Sequence, residues 1–137
     1  MPCKKKGWFL LLHIQGTFAH YNFNVLDLQA SLSFYEKALG LHEHHRKVAE
    51  DGSFILCYLT DGRSPFLLEL TWLRDWDRPY NLGDNEMHLC MTVPADQYDQ
   101  IRQAHRAMGC ICFENKEMGL YFISDPDGYW VEILPER

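Results

Sequence analysis

The chain states one pattern twice, and self-similarity of this kind constrains a fold more than any single motif does. A polar/apolar run opens on His20 (His20–Val25), leads into a helical stretch and stops at Gly40. A second run opens on His88 (His88–Val93), leads into a helical stretch and stops at Gly109. Later in each half Asp61-Gly62 recurs as Asp127-Gly128, and Glu69 recurs as Glu132. Few residue identities are shared, so pattern is what repeats.

Each half parses as strand, helix, then strands. Over residues 18–25, Ala19, Tyr21, Phe23 and Val25 fall on one face and His20, Asn22 and Asn24 on the other. Asp27 is an N-cap, Leu28, Leu32, Tyr35 and Leu39 recur at helical spacing, and Gly40 ends the helix. In the second half the helix falls near Ala95–Met108, with Tyr98, Ile101, Ala104 and Met108 inward and Gly109 as its stop. Phe54–Leu59 and Phe66–Trp72 read as strands around the turn-rich TDGRSP, and Leu120–Ile123 and Tyr129–Leu134 read as strands around SDPDG. The expected fold is α+β: two βαβββ modules, about residues 18–73 and 86–135, joined by the linker Leu73–Asn85 and preceded by an extension over 1–17. Each sheet has one face covered by its helix and the other open. Side by side or across a dimer, two open faces can curl into a cleft.

Composition removes several classes of function. The 137 residues carry a formal charge of −6 with only thirteen Lys and Arg, which argues against a nucleic-acid binder. Seven Tyr, eight Phe and four Trp exclude a disordered chain. The basic and apolar start (Lys4–Lys6, then Trp8–Leu12) imitates a signal peptide, but His13 and Gln15 interrupt it. No segment approaches the length of a membrane span. Five Cys, an odd count without a C-x-x-C pair, read as reduced thiols, so a cytoplasmic location is expected.

Alternation then asks what enters the cleft. Glu69 stands mid-strand on the face of Leu67 and Thr71, and Glu132 on the face of Trp130 and Leu134. A carboxylate in an apolar strand is costly to bury unless it is paired or bound to a cation. Here this happens twice at equivalent positions, and His20 and His88 open the two first strands in the same way. Two imidazoles and two carboxylates suit a borderline divalent cation such as Ni²⁺, Co²⁺ or Zn²⁺.

Over about residues 18–136 the chain resembles glyoxalase I (lactoylglutathione lyase) of the vicinal oxygen chelate superfamily. The resembling segments are the first strand into Asp27–Leu41, the Phe66–Thr71 strand, Tyr80–Gly83 before His88, and Asp125–Glu132 (DPDGYWVE). The resemblance implies metal ligands His20, Glu69, His88 and Glu132, and Ni or Co rather than Zn. It implies a homodimer whose sites draw on both modules, and a small-molecule thiol adduct as substrate. The implied reaction converts the hemithioacetal of methylglyoxal and a thiol into a 2-hydroxyacyl thioester, by proton transfer through an enediolate. Glu132 is the implied base and Glu69 assists it. Glutathione-using bacterial relatives commonly carry Arg four residues after the first His and Asn four after the first Glu. Here those positions are Asn24 and Leu73, so the thiol is left open. The alternatives within the fold are a non-enzymatic small-molecule-binding protein of the resistance type, or another metalloenzyme such as an epimerase.

The remaining features have ordinary explanations. His42, His44 and His45 mark a solvated strand edge, and His13 and His105 are expected at the surface. Cys110 and Cys112 share one face of a short strand, and Cys90 shares a face with His88. The Asp125–Gly128 segment is explained by a turn.

Overall fold

The structure, a computed structural model, describes residues 12–137; Cys3 and most of the 1–17 extension lie outside the described residues. The first half runs β1 (His20–Val25), α1 (Leu28–Leu39), β2 (His42–Val48), β3 (Phe54–Thr60) and β4 (Leu67–Leu73). The second runs β5 (Leu89–Val93), a single 3₁₀ turn (Ala95–Gln97), α2 (Tyr98–Ala107), β6 (Ile111–Asn115), β7 (Leu120–Ser124) and β8 (Trp130–Pro135). Each half builds a four-stranded sheet of the same order, β1-β4-β3-β2 and β5-β8-β7-β6. In both, the first strand pairs parallel with the last and the other pairings are antiparallel. This is the expected α+β arrangement of two βαβββ units. No helix among the described residues is long and apolar enough to cross a membrane.

Local chemistry sets the ends of α1. The Asp27 carboxylate accepts from the Ala30 N–H at 3.0 Å, satisfying one of the donors that a helix start leaves open. Gly40 takes a left-handed φ of 67°, and its N–H and that of Leu41 return to Glu36 and Tyr35 carbonyls. Helix α2 departs from expectation. Its first turn is 3₁₀, and it presents Tyr98, Ile101 and His105 inward while Ala104 and Met108 are exposed. The helix stops at Ala107, so Met108 has no further turn on which to reach the core.

His105 is the corresponding surprise: expected at the surface, it is 1% exposed. Its Nε2 donates to the Ala38 carbonyl at 2.7 Å and its Nδ1 accepts from the Tyr121 hydroxyl at 2.7 Å. With both nitrogens satisfied the ring can be buried as a neutral group. Cys110 and Cys112 are likewise separated rather than cofacial. A register shift between Ile111 and Phe113 leaves Cys110 buried and Cys112 exposed.

One core serves both halves. Tyr35, Leu59 and Leu70 from the first and Tyr121, Ile123 and Ile133 from the second are fully buried in a common cluster. The Asp125–Gly128 turn does more than reverse the chain. Asp125 accepts from the Tyr35 hydroxyl at 2.8 Å, and Asp127 accepts from the Leu26 N–H at 3.0 Å. The second half is thereby fastened both to the entry of α1 and to its buried face. Phe23 stacks on Tyr129 at 4.3 Å across the same junction. Because the junction uses the covered sides of the sheets, the open faces are left to solvent.

Candidate metal centre

Strand register brings the charged residues to matched places. Glu69 lies between Asn22 on β1 and Tyr58 on β3, and Glu132 lies between Cys90 on β5 and Phe122 on β7. His20 Nε2 stands 3.8 Å from Glu69 Oε1, and His88 Nε2 stands 3.1 Å from Glu132 Oε1. Both carboxylates are largely enclosed, with side chains 12% and 16% exposed. Each open face therefore carries one His–Glu pair. Within a single chain the pairs stay apart, and the described residues contain no group of three or more potential ligands. The two histidines do share the rim of an apolar hollow of about 640 Å³, whose walls include Phe18, Phe66 and Met87.

The second pair has a telling geometry. His88 Nδ1 is 2.7 Å from the Glu86 carbonyl, which can only accept, so Nδ1 must donate. In a neutral ring Nε2 is then a bare lone pair, and it faces a carboxylate oxygen. Two acceptors at that distance repel unless a cation or a proton lies between them. The carbonyl of Glu86 thus orients the ring as second-neighbour groups do for metal-bound imidazoles. The donor set, imidazole nitrogen and carboxylate oxygen, fits a borderline divalent ion.

Two aromatic residues complete the symmetry, and neither is marked by the alternation of its own strand. Tyr58 packs edge-on to His20 with centroids 5.5 Å apart, and Phe122 packs edge-on to His88 at 4.8 Å. Each sits directly across from the glutamate of its own half, so laying β3 against β4 and β7 against β8 would have found them. They differ at one atom: the neighbouring Glu69 carboxylate, together with burial, raises the Tyr58 phenol, whereas Phe122 has no hydroxyl. Cys90, which lies beside Glu132, has its thiol pushed up to about 11, by burial first and by that carboxylate second. His44 and His45 lie on the exposed strand β2, with His45 stacked on Tyr58 at 4.3 Å.

Residues 17–133 match the family model described as Glyoxalase/Bleomycin resistance protein/Dioxygenase superfamily. The lactoylglutathione lyase of Neisseria meningitidis is 31% identical over 125 residues, covering 86% of this chain and 89% of that one. Among solved structures, the glyoxalase I of Leishmania major, described as trypanothione-dependent, superposes with a TM-score of 0.69 at 22% identity. That match covers 89% of this chain and 88% of the other. A fosfomycin resistance protein of Listeria monocytogenes, solved with Mn(II) and sulfate, superposes with a TM-score of 0.66 at 12% identity. It covers 91% of this chain and 95% of the other, and shows that the fold serves other functions too. The chain belongs to the Glyoxalase/Bleomycin resistance protein/Dioxygenase superfamily, and within it to the glyoxalase I-like lyases.

Proposed function

We propose that this chain is a divalent-metal-dependent glyoxalase I. It isomerises the hemithioacetal of methylglyoxal and a small thiol to a 2-hydroxyacyl thioester in the cytoplasm, with Ni²⁺ or Co²⁺ preferred over Zn²⁺. His20 and Glu69 would hold the ion together with His88 and Glu132. The observation that carries this reading is the pair of His–Glu contacts at matched register, with His88 Nε2 turned as a lone pair toward Glu132. Since one chain keeps its pairs apart, each site would combine the first-half pair of one copy with the second-half pair of another in a homodimer. The exposed Phe18 and Met87 beside both histidines supply apolar surface for such a contact.

When bound, the ion would stabilise the negative charge that develops on substrate oxygen as the C–H proton leaves. Glu132 takes that proton from one carbon on a carboxylate oxygen and returns it to the neighbouring carbon, so the carboxylate ends each cycle unprotonated. Glu69, opposite Tyr58 in the strand register, remains in place on the opposite side. The enclosed position of Glu132 keeps the abstracted proton from bulk water for the time the transfer needs.

The test is thioester formation from methylglyoxal and a panel of thiols, followed by ultraviolet absorbance, on protein loaded with Ni²⁺, Co²⁺ or Zn²⁺. Metal content is measured on the same samples. A protein that binds no divalent ion after loading overturns the reading in favour of a small-molecule-binding protein. One that binds metal without forming thioester points to another reaction, such as an epimerisation.

A further inference from the structure

Beside the first His–Glu pair, a pocket of about 490 Å³ opens along β1 and beneath residues 80–87. Its polar lining is Asn22, Asn24, Tyr80, Asn81 and Asn85, and Asp84 is its one ionisable acid or base other than tyrosine. It is no incidental crevice. Asn85 donates to the Gly128 carbonyl at 2.8 Å, and Tyr129 donates to the Asn24 carbonyl at 2.8 Å, so the wall and floor are tied together. On the open face the Thr71 hydroxyl donates to Asn22 Oδ1, and Asn22 Nδ2 donates to Asn24 Oδ1 at 2.8 Å. That ladder leaves the Asn24 amide nitrogen free to donate onward. Tyr80 lines the same pocket, and its hydroxyl is buried without a hydrogen-bond partner, an arrangement that normally costs about 1–3 kcal/mol.

The charge inventory decides what that partner is. Lys and Arg occur on the eight strands only as Arg46 and Lys47, both on β2. Strand β2 is three strands from β1, about 14 Å at ~4.8 Å per strand, and Arg46 is clasped by Glu43. Arg78, in the connection, is committed to the Trp76 ring at 3.8 Å. The second-half sheet that another copy would bring carries no strand Lys or Arg either. Among the residues that line the pocket, a carboxylate would meet neutral donors and Asp84 but no Lys, Arg or His, which is unfavourable.

We infer that this pocket holds the non-reacting end of the thiol carrier and that this end bears amides, esters or hydroxyls rather than free carboxylates. The inference rests on the glyoxalase I reading for what occupies the neighbouring His–Glu pair. It does not need metal in order to be tested.

Titration calorimetry on the metal-free protein, comparing S-methylglutathione with its diethyl ester, isolates the carboxylates on one scaffold. The diester should bind at least fivefold more tightly; a smaller preference, or tighter binding of the free acid, overturns the inference. Asn24→Arg should reverse the order by supplying a carboxylate clamp, and an unchanged order counts against the assignment. Tyr80→Phe keeps the ring and should weaken diester binding about fivefold; unchanged affinity removes Tyr80 from the site. Turnover of the two methylglyoxal hemithioacetals by nickel-loaded protein separates this inference from the reading beneath it. Diester binding without turnover of either adduct sinks the catalytic reading and supports the pocket, whereas faster turnover of the free-acid adduct sinks the pocket alone.

Discussion

His88 and His105 each engage both ring nitrogens, and the two rings do opposite things. His105 donates to a carbonyl and accepts from a hydroxyl, so a neutral ring leaves nothing unsatisfied. His88 donates to a carbonyl and faces a carboxylate, so a neutral ring leaves a repulsion that a cation or a proton between them removes. Glu132→Gln should lower kcat by roughly 10²–10⁴-fold while leaving the far-ultraviolet dichroism unchanged; full activity in that variant would refute the base assignment. Burial lowers the His105 pKa in the folded state. The neutral ring is therefore favoured by the fold, and stability present above about pH 6.5 is lost as pH falls. Asp125 has the opposite sign: burial pushes its carboxyl up to about 6, and its protonated form is favoured. Between about pH 4 and 6 the fold loses stability from this group as pH rises, on the order of 2–3 kcal/mol. Asp125→Asn should accordingly gain by about that amount relative to wild type between pH 4 and pH 7, measured by urea unfolding at each pH. The four His and Glu positions could be picked out from alternation and repetition alone. His105 could not, because its burial depends on a carbonyl of α1 and a hydroxyl of β7, both remote in sequence.

At the level of elements, the Asp125–Gly128 turn has two functions, and only one is local. The turn residues mark a reversal, with Gly128 at a φ of 93° where a side chain would be strained. That Asp127 also accepts the Leu26 N–H and that Asp125 receives the Tyr35 hydroxyl is a matter of tertiary placement. Asp127→Ala should cost about 1–2 kcal/mol in unfolding free energy, the usual cost of a lost cap, with no change in the secondary-structure signal. The strands were readable because their apolar faces alternate cleanly, as in β8, where Val131 and Ile133 are buried and Trp130, Glu132 and Leu134 are not. The phase of α2 was not readable. Ala104 and Met108 satisfy helical spacing as well as Ile101 and His105 do, and hydropathy favours the wrong set. The register shift between Ile111 and Phe113 left no mark in composition, so the two cysteines could not be assigned to different sides from sequence.

For the whole molecule, the repeat supplies two unlike half-sites that look away from the shared core. A site assembled between copies makes a direct prediction for mixed chains. His20→Ala/Glu69→Ala and His88→Ala/Glu132→Ala homodimers should each be inactive, because every site in either has lost one pair. After joint unfolding and refolding, half the dimers should be mixed, and each mixed dimer has one intact site. Activity should then return to about a quarter of the wild-type level by random pairing of subunits. No recovery would place both pairs of each site in one chain. The common core has a mechanical corollary. Tyr35, Asp125, His105 and the Phe23–Tyr129 stack bind the halves through buried contacts, so a motion that clapped the two sheets together would have to break them. Opening and closing over a guest must then fall to the tethers, foremost the span 74–88 between the sheets. That span forms the roof over the Asn24 pocket, and its pace would set how fast product departs.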